Sequence, residues 1–210
     1  MQKHIYTFFA ALLPISLLVA LPLGARAHGH TSFEINEQVY SFVVGSLNEP
    51  IAVDDRTGLD LRVTKSARHA MEEEEHEGAP VPGLENTLKV ELKAAGKSKV
   101  MDLRPAFGAP GAYRAYFVPT IQTTFSYRLF GTIDDVPFDY TWTCNPAGHP
   151  QTDAVMEEVE ISPGVTLLEK EGTFGCPVAK TDLGFPESVL SEYEAAQKLD
   201  FLIVDMSKIL

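Results

Sequence analysis

The chain has 210 residues, with 29 Asp and Glu against 17 Lys and Arg, and a formal charge of −12 at pH 7. That excess of acid is repelled by nucleic-acid backbones and anionic lipid, and excludes both as partners unless the charge is very unevenly placed. Length favours one domain, with room for a two-layer core and an appendage.

Lys3 and His4 precede a 20-residue run, Ile5 to Gly24, that carries no charged side chain. Ala25 and Ala27 then supply the small residues of an A-x-A cleavage site, which predicts a signal peptide over residues 1–27 and a mature chain beginning at His28. Cutting there removes Lys3 and Arg26 but no acid, and takes the formal charge to −14. The expected location is periplasmic or secreted, with no membrane span in the mature chain. The run would be long enough to cross a bilayer if left uncut, and His28 would then have no free amine.

The mature terminus reads His28-Gly29-His30. A chain of the form X-X-His can bind Cu(II) or Ni(II) in a square plane. The four nitrogens are the His28 amine, the Gly29 and His30 amides and the His30 ring. A histidine brace is the competing arrangement, using the His28 amine and ring with a second histidine from His69, His76 or His149. The bland alternative is an exposed terminus in which two histidines occur by chance.

Val39 to Val44 is rich in β-branched and aromatic residues and reads as a strand. A turn at Asn48-Glu49-Pro50 follows, and then Leu59 to Val63 alternates apolar and polar with period two, one face buried and one wet. Residues 65–83 break the pattern. Glu72 to Glu75 lie between His69 and His76, and like charges in a row predict a mobile acidic loop, whose histidines and carboxylates are auxiliary candidates for a cation.

Strand character returns from Leu84 to Leu92, and Ala94-Ala95-Gly96-Lys97 predicts a hairpin turn into Val100 to Leu103. Tyr113, Ala115 and Phe117 share one face of a strand, and Phe125, Tyr127 and Leu129 one face of the next. With a short turn beginning at Pro119 between them, the pair is expected to form the core hairpin. Val136 to Thr143 is a further strand, and Asp54-Asp55 and Asp134-Asp135 read as turn residues, not as catalytic acids. Cys144 and Cys176, in an oxidising compartment, are expected to form a disulfide. Val155 to Ile161 and Val165 to Leu168 suggest a hairpin around Pro163-Gly164, and Glu187 to Lys198 has helical spacing.

About seven short strands without helical crossovers predict an all-β, immunoglobulin-like sandwich over residues 28–144, with a partly helical extension over 145–210 tethered by the disulfide. The run Gly111-x-Tyr113-x-Ala115-x-Phe117-x-Pro119-Thr120, with Phe125-x-Tyr127 and Gly131, is similar to the last hairpin of extracytoplasmic domains of the YtkA-like and CopC-like type. Val44-Gly45, Asn48-Glu49-Pro50 and Gly58-Leu59-x-Leu61-x-Val63 add to that resemblance. It implies an immunoglobulin-like fold and copper handling outside the cytoplasm, with His28 matching the family's N-terminal histidine ligand. The family's late Asp-x-His pair has no counterpart here.

No nucleophile elbow, H-E-x-x-H helix, phosphate loop or dinucleotide fingerprint is present, so no enzyme is expected, a brace-type copper oxidase being the exception. The expected function is Cu(II) binding through His28 and His30, with His69 and His76 as auxiliary ligands, in copper delivery, buffering or resistance. The alternative is a non-catalytic interaction or accessory module of an envelope complex whose histidines are incidental.

Overall fold

The computed structural model describes residues 28–67, 78–147, 155–190 and 194–200. The expected signal peptide, the acidic run with His69 and His76, and His149 lie outside the described residues. Twelve strands are formed within them: β1 (Gly29–Ile35), β2 (Gln38–Ser46), β3 (Thr57–Ala67), β4 (Ala79–Pro80), β5 (Leu88–Ala94), β6 (Lys97–Asp102), β7 (Arg104–Pro105), β8 (Ala112–Phe117), β9 (Phe125–Ile133), β10 (Val136–Thr143), β11 (Val155–Ser162) and β12 (Val165–Glu171). Residues 194–200 form a short helix. No helix among the described residues is long and apolar enough to cross a membrane.

The strands build two antiparallel sheets. One runs β11-β12-β1-β2-β3-β8-β7, with β4 also on β3, and the other β10-β9-β5-β6. Within them, β2-β3-β8-β7 facing β10-β9-β5-β6 is the strand order of an immunoglobulin-type sandwich. Period-two alternation puts Tyr40, Phe42 and Val44 of β2, Leu59, Leu61 and Val63 of β3, and Tyr127 and Leu129 of β9 into the space between sheets, all fully buried. Phe33 of β1 meets Phe42, Phe138, Tyr140 and Trp142 edge-on, at centroid distances of 4.9 to 6.2 Å. Trp142 Nε1 donates to Thr31 Oγ1 at 2.9 Å, so the indole reaches a partner across the core.

Among the described residues three connections are two-residue hairpins with both residues at positive φ: Asn36-Glu37, Ala95-Gly96 and Asp134-Asp135. Left-handed conformation at both central positions is the type I′ geometry, whose twist matches the flanking strands. Asp134 then ties two hairpin tips together. Its carbonyl accepts from Asn36 Nδ2 at 3.2 Å, and its carboxylate accepts from the Tyr40 hydroxyl and lies 3.4 Å from Lys65 Nζ. The Tyr40 hydrogen bond, aided by Lys65, holds the Asp134 carboxyl below its usual range, while burial and the same carboxylate push the Tyr40 phenol up. A depressed carboxyl stabilises the fold above the unfolded value of about 4 and loses that contribution as pH falls through the folded value. Thermal unfolding followed from pH 7 to 3 should therefore show a shallower acid decline in Asp134→Asn than in the unaltered protein; superimposable profiles would remove Asp134 as a contributor.

Four sequence expectations change. The segments on either side of Pro119 are not a hairpin: β8 pairs with β3 in the large sheet and β9 with β5 and β10 in the small one. Alternation is identical for a hairpin and for a crossover between facing sheets, so the pattern does not separate them. The hairpin partner of β9 is β10, through Asp134-Asp135. Gly29 and His30, expected in the terminal His28-Gly29-His30, are the first residues of strand β1. The segment after Cys144 packs as part of the large sheet: β12 pairs with β1 along its length and β11 forms the edge beyond it. Helix is confined, among the described residues, to 194–200 and two 3-10 turns, Leu84–Asn86 and Lys180–Leu183; the first replaces the start of the strand expected from Leu84, while Phe185–Glu187 form a bend.

Candidate functional site

The alternation of β1 sends Phe33 into the core and therefore His28, His30, Ser32 and Glu34 toward the outer face of the large sheet. Ser32 Oγ lies 3.2 Å from Ser41 Oγ of β2, as two residues opposite each other on one face should. Register then fixes what each histidine meets. Gly29 lies opposite Val44, which puts His28 beside Gly45; Gly45 pairs with Asp60, and Asp60 with Arg114. His28, Gly45, Asp60 and Arg114 thus form one row across four strands.

Gly45 is what lets His28 lie flat along that row. A Cβ on Gly45 would fall 2.1 Å from His28 Cδ2, so any side chain there would evict the ring. The ring crosses the glycine and brings Nε2 to 3.9 Å from the Asp60 carboxylate, which also lies 3.8 Å from Arg114 Nε. Asp60 is consequently shared between an imidazole and a guanidinium. A hollow of about 210 Å³ opens beside the ring, lined by His28, Val43, Asp60, Leu61, Arg62 and Ala112.

The next row contains His30, paired with Val43 of β2 on one side and Glu171 of β12 on the other. Two histidines, Asp60 and Glu171 therefore share one face, with Arg62 and Arg114 beside them. Among the described residues no three His, Cys, Asp or Glu side chains already converge on a common point at metal distance. Gly29 and His30 both lie inside the β1 ladder. A square-planar X-X-His chelate would have to deprotonate their amides and turn them onto the metal, in competition with that ladder.

Cys144 and Cys176 form the expected disulfide, with Cα atoms 5.0 Å apart. It stands at the opposite edge of the β10 strand from Asp134 and takes no part in the histidine row. His69, His76 and His149 lie outside the described residues. Sequence reasoning missed Gly45, Asp60 and Glu171 as companions of the N-terminal histidines. Asp60 was legible as the wet face of a strand, but which strand it faces is a matter of register. No known family model, curated protein or solved structure matches the chain.

Proposed function

We propose that this chain is an exported copper-handling β-sandwich that holds Cu(II) at the start of β1, in delivery, buffering or resistance. The observation that carries the reading is the His28 ring laid across Gly45 beside Asp60, with His30 two residues on along the same face. Cleavage after Ala27 would give His28 an amine next to its own imidazole. Amine, His28 ring, His30 ring and a carboxylate from Asp60 make a nitrogen-rich mixed set of the kind Cu(II) takes in tetragonal geometry. This side-chain mode leaves the β1 ladder intact, which favours it over the amide-based plane. The resemblance to CopC-like proteins supports the same reading through His28 alone.

The test is Cu(II) titration of protein whose N-terminus has been verified by mass as His28, followed by visible d-d absorption and competition with a chelator. His28→Ala, or a single extra residue placed before His28, should weaken binding at least a hundredfold, and His30→Ala about tenfold or more. Imidazoles bind metal only when neutral, so affinity should fall as pH drops below about 6.5. Gly45→Val separates the two modes. It evicts the His28 ring from Asp60 and should cost about tenfold in the side-chain mode while leaving an amide-based plane untouched. Full affinity in both the blocked-amine and His28→Ala proteins rejects copper binding at this terminus altogether.

A further inference from the structure

The flank of the sandwich far from His28 is open. There β6 is the edge of the small sheet, and between it and the segment that follows β8 lies a cleft of about 450 Å³, within the range of small-ligand sites. Leu92, Phe117, Val118, Ile121 and Phe125 line it, with Pro177, next to the disulfide, at its border. Val118 and Ile121 remain 47% and 51% exposed, although both border this apolar hollow.

The charge beside the cleft runs against the rest of the chain. Lys97 pairs with Ala94 and Lys99 with Leu92, so both stand on the face of β6 that Leu92 presents to the cleft, and both line it. Lys65, Lys89, Lys93 and Lys180 each have a carboxylate within ion-pair distance. Among the described residues Lys97 and Lys99 have none, as is true also of Lys170 and Lys198, but only Lys97 and Lys99 border this cleft. Two cations without an acid, in a chain with 29 acids to draw on, border an apolar hollow of ligand size. Inward-pointing lysines also protect an edge strand from pairing, and they would do so here without an apolar cleft beneath them.

We infer that this cleft is a binding site for an acyl carboxylate: an apolar chain resting on Leu92, Phe117, Ile121 and Phe125, and an anionic head held by Lys97 and Lys99. An extended acidic peptide fits less well, because its inward-facing side chains would have to be acidic opposite the lysines and apolar toward Phe117 at the same positions.

Sodium decanoate is the probe, titrated below its micellar concentration into the full mature chain and followed by calorimetry and by amide shifts in 15N spectra. Saturable one-to-one binding is expected, with shifts gathered at residues 92–99 and 117–125. Decyltrimethylammonium, with the same chain and the opposite charge, should bind at least tenfold more weakly. Hexanoate should weaken by roughly fourfold for each methylene removed. The exposed double variant K97E/K99E, which leaves the core untouched, should lose at least tenfold for decanoate, and I121D should lose binding through the apolar wall instead. Absence of saturable binding, equal binding of the cationic analogue, undiminished binding to K97E/K99E, or shifts centred elsewhere would each overturn the assignment.

Discussion

Replacing Phe33 by Ala is expected to destabilise the protein by about 3–5 kcal/mol, the range for removing a fully buried aromatic ring from a packed core. Phe33 is fully buried, and its ring edges meet four others, from β2 and from β10 across the sandwich. Those four rings are carried on strands fixed by their ladders, and Trp142 is further held by Thr31, so the void cannot close by local collapse. Against a domain stability of about 5–15 kcal/mol the loss is a large share, and for a chain of this size it lowers the melting temperature by roughly 10 °C. Phe33→Leu, which keeps most of the volume, should cost far less. Urea unfolding of both variants measures the difference. Because Phe33 anchors β1 to the facing sheet, hydrogen exchange in residues 29–35 should accelerate in Phe33→Ala beyond the global change. A loss below 1 kcal/mol would mean that β1 is not packed on the small sheet as described.

The parts of this fold that rest on local chemistry were readable in the chain. Val39 to Val44 is rich in β-branched and aromatic residues and Leu59 to Val63 alternates because one face is buried, and both are strands in the places expected. Gly96 and Asp134-Asp135 mark turns because glycine, and to a lesser degree aspartate, tolerate positive φ. The pairing of Cys144 with Cys176 was expected, and it is observed. What was not readable rests on pairing between distant segments. Thr31 to Ile35 carries its own alternation, and Asn36-Glu37 supplies a two-residue turn into β2, so β1 had a local signature that the polar His-Gly-His start obscured. Its other neighbour, β12, lies about 135 residues away along the sequence, and nothing in either segment announces the match. The site shares that limit. His28 and His30 were legible as metal-binding types, whereas the glycine that seats His28 and the aspartate it approaches depend on β1, β2 and β3 being in one register.

That dependence joins the site to the far end of the chain. β1 is held on both sides, by β2 and by β12, and β12 returns to it only because the segment after Cys144 doubles back. The proposed copper binding at His28 is therefore sensitive to a segment that meets the site from one side, with Glu171 opposite His30 and Gly172 close to the His28 carbonyl. The acidic outer strands would then act as a brace for the metal site and not as a separate appendage.

Removing the disulfide, in the double variant Cys144→Ala/Cys176→Ala, is expected to cost about 2–4 kcal/mol. The cysteines are 32 residues apart, and closing a loop of that length removes chain entropy from the unfolded state worth about 3–4 kcal/mol on the entropic account. The folded state around the bond is already fastened without it. Asn145 N–H donates to Phe174 O at 2.9 Å, Cys176 N–H to Asn145 O at 3.3 Å and Val178 N–H to Ile51 O at 2.9 Å. Cys144 N–H donates to Phe125 O of β9 at 3.0 Å and its Sγ accepts from Phe125 N–H at 3.2 Å, so the anchor end belongs to the small sheet's core. The backbone bonds remain when the sulfurs are gone, while the buried Phe125 N–H loses its Sγ acceptor, and the rest of the loss should appear as easier opening of the closed loop. Hydrogen exchange should accord with that order: residues 155–178 lose protection first, β1 next as its β12 partner departs, and β2, β3 and β9 last. If β9 and the C-terminal strands lose protection together, the latch is part of the global cooperative unit and the closing segment is no separate layer on the sandwich.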